Sequence, residues 1–149
     1  MEVHVEDFYH SITPPEEWRQ YDDRIEEPTD WLLGVLAERG IRGVFYVLGD
    51  VAERHPALVC RIARAGHVLG SHGYYHRHRE REHDLGDGQT RQLLQQITGQ
   101  VVTRYTSPYW STTKRPGWCG GIFFRVLPLW LLVRYGARFG RMWIHPWEL

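Results

Sequence analysis

The sequence predicts an α/β fold built on a mostly parallel sheet, of the kind from which (β/α) barrels are made. Short strand-like runs alternate with helix-like ones along the chain, and chemistry-capable residues recur where strands end. A further observation is compositional: 149 residues, 42% hydrophobic and 13% aromatic, suffice for one domain with a buried core.

Each element follows from local pattern. Residues 2–6, EVHVE, alternate at the period of a strand and run into the acidic pair Glu6 and Asp7. After a polar, proline-containing connection, TDWLLGVLAERG reads as a helix capped at Thr29 or Asp30, striped with Trp31, Leu32, Val35 and Leu36, and stopped at Gly40. IRGVFYVLG is β-branched and aromatic over strand length, and HPALVCRIARAGH opens at Pro56 and closes at Gly66 as a second helix. VLGSHGYYH gives a very short strand that ends where the histidines begin. TRQLLQQITG then reads as a third helix, followed by a strand from about Gln100 to Tyr105 and a proline turn. Residues 111–121 are loop-like, an apolar helix covers 122–135, and RMWIHPWEL closes the chain as a strand with His145 at its end.

Composition excludes several classes. Lys plus Arg and Asp plus Glu both number 18, so no basic field favours nucleic acid. Cys60 and Cys119 form no CxxC pair and read as buried thiols. Arg125 and Pro128 interrupt the apolar run at 122–135, which is shorter than the ~20 residues of a membrane span. MEVHVEDFYH has neither the basic start nor the apolar stretch of a secretory signal, so the sequence as written is expected to stay in the cytoplasm.

In open α/β sheets and barrels, function gathers at the C-terminal ends of strands, where Asp7, His72 and His145 all fall. His72 and His76 are spaced to hold one metal ion, and Gly73 permits the tight loop between them. By spacing alone they read equally as members of a histidine-rich surface that continues into HRHREREHD. One carboxylate with two imidazoles leaves positions on a divalent metal for water and a substrate oxygen. Glu6 and Asp7 can divide the labour, one on the metal and one free to take a proton; the alternative is a helix cap. His145 serves either as proton donor to a leaving group or as a core histidine.

VEDFYH, GVFYVLGDVAERHPALVCRIARAGHVLGSHGYYHRH, TGQVVTRYTSPYW, GGIFFRVLPLWLL and WIHPWEL together resemble, in order, the polysaccharide deacetylase family with its NodB homology domain, carbohydrate esterase family four. The likeness is nearest to the branch associated with exopolysaccharide and exosortase loci. It implies a deformed and truncated (β/α) barrel over residues 1–149, shortened between about 110 and 120. It further implies a divalent metal, commonly zinc, held by Asp7, His72 and His76, with Glu6 as base and His145 as acid. Pro108 and Tyr109 are implied in substrate binding, and the substrate is an acetylated polysaccharide or oligosaccharide, N-acetyl in first place. Family members often work in the cell envelope. The chain departs from the pattern at His4, where the branch has an aspartate, at Thr106, where an arginine is usual, and in lacking the segment that supports the acid histidine. A relic acting as a metal- or carbohydrate-binding module is therefore the alternative to an active hydrolase.

Overall fold

The computed structural model describes residues 1–76 and 80–108, the latter by backbone alone over 80–87. Four parallel strands, β1 (Glu2–Val5), β2 (Val44–Val47), β3 (Val68–Ser71) and β4 (Arg104–Tyr105), lie side by side in sequence order. Helices α1 (Phe8–Ile12) and α2 (Glu26–Glu38) connect the first two strands, with a 3-10 turn at Pro15–Gln20 between them. Helices α3 (Gly49–Arg54) and α4 (Pro56–Arg64) connect β2 to β3, and α5 (Glu80–Thr98) connects β3 to β4. Successive parallel neighbours joined by helices are the repeating unit of a (β/α) barrel, and here they form a truncated α/β fragment.

Register and parity divide the work of the two sheet faces. Val5 pairs with Val47, Val47 with Ser71, and Ser71 with Tyr105. Side chains alternate across a strand, so Val3, Val5, Phe45, Val47 and Leu69 face the helices. There they join Leu33 and Leu36 of α2, Leu58, Val59 and Ile62 of α4, and Leu94 of α5 in one core. Each such side chain contributes roughly 1.5–3 kcal/mol by leaving water. The opposite face carries the row His4, Tyr46 and Gly70. A Cβ at Gly70 would stand 2.5 Å from the Tyr46 ring, so glycine there admits the ring to this face.

Helix ends are closed locally. In α2 the amides of Gly40 and Ile41 donate to Ala37 and Leu36, and in α4 those of Gly66 and His67 donate to Ala63 and Ile62, with both glycines at positive φ. These are the stops expected at Gly40 and Gly66. Other boundaries differ from expectation. Helix α2 starts at Glu26 rather than at Thr29 or Asp30, because Pro28 sits in the first turn, where its missing N–H is not needed. Helix α3 occupies GDVAER, directly after β2. β4 shrinks to two residues because side chains of α5 take the preceding amides: Gln100 N–H donates to Thr98 Oγ1 and Val102 N–H to Gln95 Oε1. Cys60 is half-buried and donates to the Ile97 carbonyl at 3.6 Å. The apolar helix, the last strand, Cys119 and His145 lie outside the described residues. Among those described, no helix is long and apolar enough to cross a membrane.

Candidate metal centre

The sheet brings two strand exits together. His72 follows β3 directly, its amide donating to the Val47 carbonyl at 3.0 Å, and Glu6 follows β1. His4 and Glu6 are two residues apart and share a side of their strand. One ligand atom each from His4, Glu6 and His72 lie within 4.8 Å of one another. The His4 and His72 rings meet edge to face at 4.4 Å, and those of His72 and His76 at 5.3 Å. His76 Nε2 lies 3.4 Å from Glu6 Oε2. Gly73, at φ +78, turns the chain between the two histidines, and Pro108 packs against it.

His72 is held in one tautomer. It is 1% exposed, and its Nδ1 lies 2.8 Å from the Thr106 carbonyl oxygen, which can only accept, so Nδ1 carries the proton and Nε2 a lone pair. That Nε2 is buried and has no hydrogen-bond partner among the described residues, and neither does Glu6 Oε2. Burial, reinforced by His4 and His76, lowers the His72 pKa well below that of an ordinary imidazole and keeps it neutral. Burial likewise lowers the pKa of His4 and pushes that of Glu6 up to about 7. Unpaired buried polar atoms are costly, and a cation answers both the Glu6 oxygen and the His72 nitrogen. The donor set of one carboxylate and neutral imidazoles, with a carbonyl behind His72, suits a divalent ion such as zinc.

Asp7, expected on the metal, stands at the head of α1. It caps α1: its Oδ1 accepts from the Phe8 amide at 3.0 Å and its Oδ2 from the Arg24 amide at 2.6 Å, while its own N–H donates to His10 Nδ1 at 2.7 Å. These bonds tie the buried Asp7 carboxylate to the backbone. The helix-cap alternative in the sequence describes these contacts, and Glu6, expected as a base, shares a cluster with His4 and His72. Accordingly, Asp7→Ala is expected to lower stability by about 0.5–2 kcal/mol, the usual cost of losing such a cap; urea melts check it.

A polar network behind α1 holds this strand exit in place. Arg54 bonds both oxygens of Asp23, at 2.7 and 2.5 Å, and Asp50 at 2.7 Å, and it also donates to the Tyr9 hydroxyl. Tyr9 in turn donates to Asp23, and His55 bridges Asp23 and Glu26. Burial alone would raise the Asp23 pKa, but hydrogen bonds from Tyr9 and Arg54 prevail and hold it at about 2. Beside the network runs a groove of about 800 Å³, lined by Trp18, Arg19, Asp50, Glu53, Tyr74 and Tyr75. Trp18 and Tyr75 meet edge to face at 5.6 Å, Trp18 buried and Tyr75 exposed. Sequence reading did not assign this groove, because its residues come from the 3-10 turn, α3 and the histidine loop. Pro108 is buried beside Gly73, and Tyr109 lies outside the described residues.

The chain is thus a parallel sheet of consecutive strands with a histidine and carboxylate cluster at its C-terminal edge. The polysaccharide deacetylase family model matches residues 17–117, more than half of the chain, and the chain belongs to that family. A peptidoglycan-N-acetylglucosamine deacetylase of Bacillus cereus is 32% identical over 87 residues, which take in 56% of this chain and 32% of that protein. The chain thus spans about a third of that curated relative. The crystal structure of a peptidoglycan N-acetylglucosamine deacetylase superposes with a TM-score of 0.56 at 29% identity, over 59% of this chain and 43% of the other. The structure of a carbohydrate esterase family four pseudoenzyme from Bacillus anthracis shares the fold, with a TM-score of 0.59 at 17% identity over 76% of this chain and 36% of that one.

Proposed function

We propose that the chain carries the metal centre of a hydrolase that removes acetyl groups, N-acetyl in first place, from a polysaccharide. One observation carries this reading: His72 Nε2 and Glu6 Oε2 are buried, have no hydrogen-bond partner among the described residues, and stand within one ligand cluster. Asp7, His72 and His76 are the residues that the family resemblance assigns to hold a divalent cation, with Glu6 beside them to take a proton. Bound there, the cation supplies a Lewis acid that polarises an acetyl carbonyl and brings the pKa of water towards ~7.

The protein groups supply the rest. The Thr106 carbonyl fixes the His72 tautomer, and it does so from the backbone, so the replacement of the usual arginine by Thr106 leaves this contact intact. Amide hydrolysis joins a water oxygen to the acetyl carbon, breaks the C–N bond and leaves a sugar amine that takes a proton. His145, outside the described residues, is the proton donor that the family resemblance implies. Removal of the water's proton needs a base, the role that the family resemblance implies for Glu6. A group bound to the cation through its lone pair cannot accept that proton at the same time. The exposed Tyr75 ring and its groove give a saccharide a flat apolar surface next to His76.

The test is acetate release from N-acetylglucosamine oligomers by zinc-loaded protein. Release that stops on chelation and in Glu6→Gln is expected, at a loss of about 100-fold or more, well beyond the roughly 10- to 100-fold of an outer-shell change. Equal release by wild type and Glu6→Gln would refute the reading.

A further inference from the structure

Arg54 reaches the exit of β1 along two separate routes. On the first, its Nη1 donates to both oxygens of Asp23, at 2.7 and 2.5 Å, and the amide of the following residue, Arg24, donates to Asp7 Oδ2 at 2.6 Å. On the second, its Nε and Nη2 donate to Asp50 Oδ2 at 2.9 and 2.7 Å, and His10 Nε2 lies 3.5 Å from that same oxygen. His10 completes this route. The Asp7 amide can only donate, so His10 Nδ1, 2.7 Å away, accepts from it, and Nε2 carries the ring's own hydrogen on the side of Asp50. Tyr9 links the two routes, its hydroxyl donating to Asp23 and accepting from Arg54 Nη2 at 3.0 Å. Both routes end on Asp7.

We propose that Arg54 is a positioning residue for Asp7, fixing the direction of its carboxylate through Asp23 on one side and through Asp50 and His10 on the other. The step rests on the family-based assignment of Asp7 to the metal. The amide bonds of Asp7 are compatible with that assignment, because a carboxylate oxygen has two lone pairs. Oδ1 accepts one amide, from Phe8, and Oδ2 one, from Arg24, and each keeps a pair for a cation. A carboxylate held at both oxygens and at its own N–H has little freedom left, so the groups behind it set how it meets an ion. Arginine suits the hub because its planar fork grips two carboxylates in fixed directions, which a lysine ammonium does not.

Chelator-competition zinc affinities of wild type, Arg54→Gln, Arg54→Lys and His72→Ala test this, beside amide hydrogen exchange of the metal-free proteins. Loss of a positive charge would by itself strengthen cation binding, whereas loss of positioning weakens it. A fall of about 10- to 100-fold, the range of outer-shell changes, is expected in both Arg54 variants. Exchange at the Asp7 and Arg24 amides is expected to quicken, with that of β2 and β3 unchanged. The Arg54 side chain is 35% exposed, so both variants are expected to fold, and one folded variant, judged by far-ultraviolet circular dichroism, decides the matter. Affinity within a few-fold of wild type in a folded Arg54 variant, or unaltered exchange at both amides, with zinc binding lost in His72→Ala, overturns the role of Arg54 alone. A wild type that binds no zinc overturns the metal reading and this step with it.

Discussion

His72→Ala is expected to lower zinc affinity by at least about 100-fold, with the sheet retained. Outer-shell changes already reach roughly 10- to 100-fold, and His72 is the proposed ligand whose position the fold fixes most completely. Its ring is 1% exposed, its Nδ1 is fixed on the Thr106 carbonyl, and its amide is tied to β2. A second imidazole cannot replace it from solvent-facing chain, because His76 already lies against Glu6 and the rings of His72 and His76 are 5.3 Å apart. Competition against a zinc-binding dye measures the change; affinity within a few-fold of wild type would show that the histidine loop holds no metal. The variant's far-ultraviolet dichroism should match that of wild type, because the core of Phe45, Val47, Leu69 and their helical partners lies on the other face.

Glu6→Gln is expected to have the next largest effect, and its signature is in pH. Burial raises the folded-state pKa of Glu6 from 4.5 to about 7. Between those values the folded metal-free protein binds a proton that the unfolded chain has lost, so Glu6 makes stability fall as pH rises from 4.5 to 7, with no further loss above. Buried His72 acts in the opposite direction, since its lowered pKa makes stability rise with pH until the unfolded imidazole also deprotonates near 6.5. In the metal-free wild type the two slopes oppose each other. Glu6→Gln removes the falling one, so the variant gains stability relative to wild type as pH rises, by an amount on the order of 1–3 kcal/mol at pH 8. Urea melts at pH 5, 6, 7 and 8 reveal it, and parallel curves for the two proteins would rule it out. With zinc the sign reverses: the ion displaces the Glu6 proton, so wild-type affinity climbs with pH through about 7 while that of Glu6→Gln is lower and flatter in this range.

Much of this was legible in the sequence because the signals were local. The alternation of EVHVE, the β-branched VFYV and the VLGS run all became strands, and Gly40 and Gly66 stopped their helices through bonds that only neighbouring residues make. His72 and His76 were singled out by spacing and by the family resemblance, and the fold brings their rings to 5.3 Å. Asp7 was legible as a cap only as an alternative, because a carboxylate at a strand exit has one sequence signature whatever it meets; its contact with the Arg24 amide comes from 17 residues away. His4 had a signal in its parity with Glu6, yet its meaning required the pairing of β1 with β2 and β3, which sets the His4 ring beside His72. The Arg54 network was invisible for a similar reason: Tyr9, Asp23, Asp50 and Arg54 come from three separate segments that only tertiary packing brings together. The loss of β4 residues was decided by two side chains of α5, Thr98 and Gln95, which bind amides that a propensity reading assigns to a strand.

The most direct test of the metal centre is the zinc stoichiometry of the metal-free wild-type chain by titration calorimetry. One ion per chain, bound with a dissociation constant below about 1 μM, or roughly −8 kcal/mol, is the predicted result. Heats that show no saturable binding, or binding that Glu6→Gln and His72→Ala leave unchanged, would contradict the account.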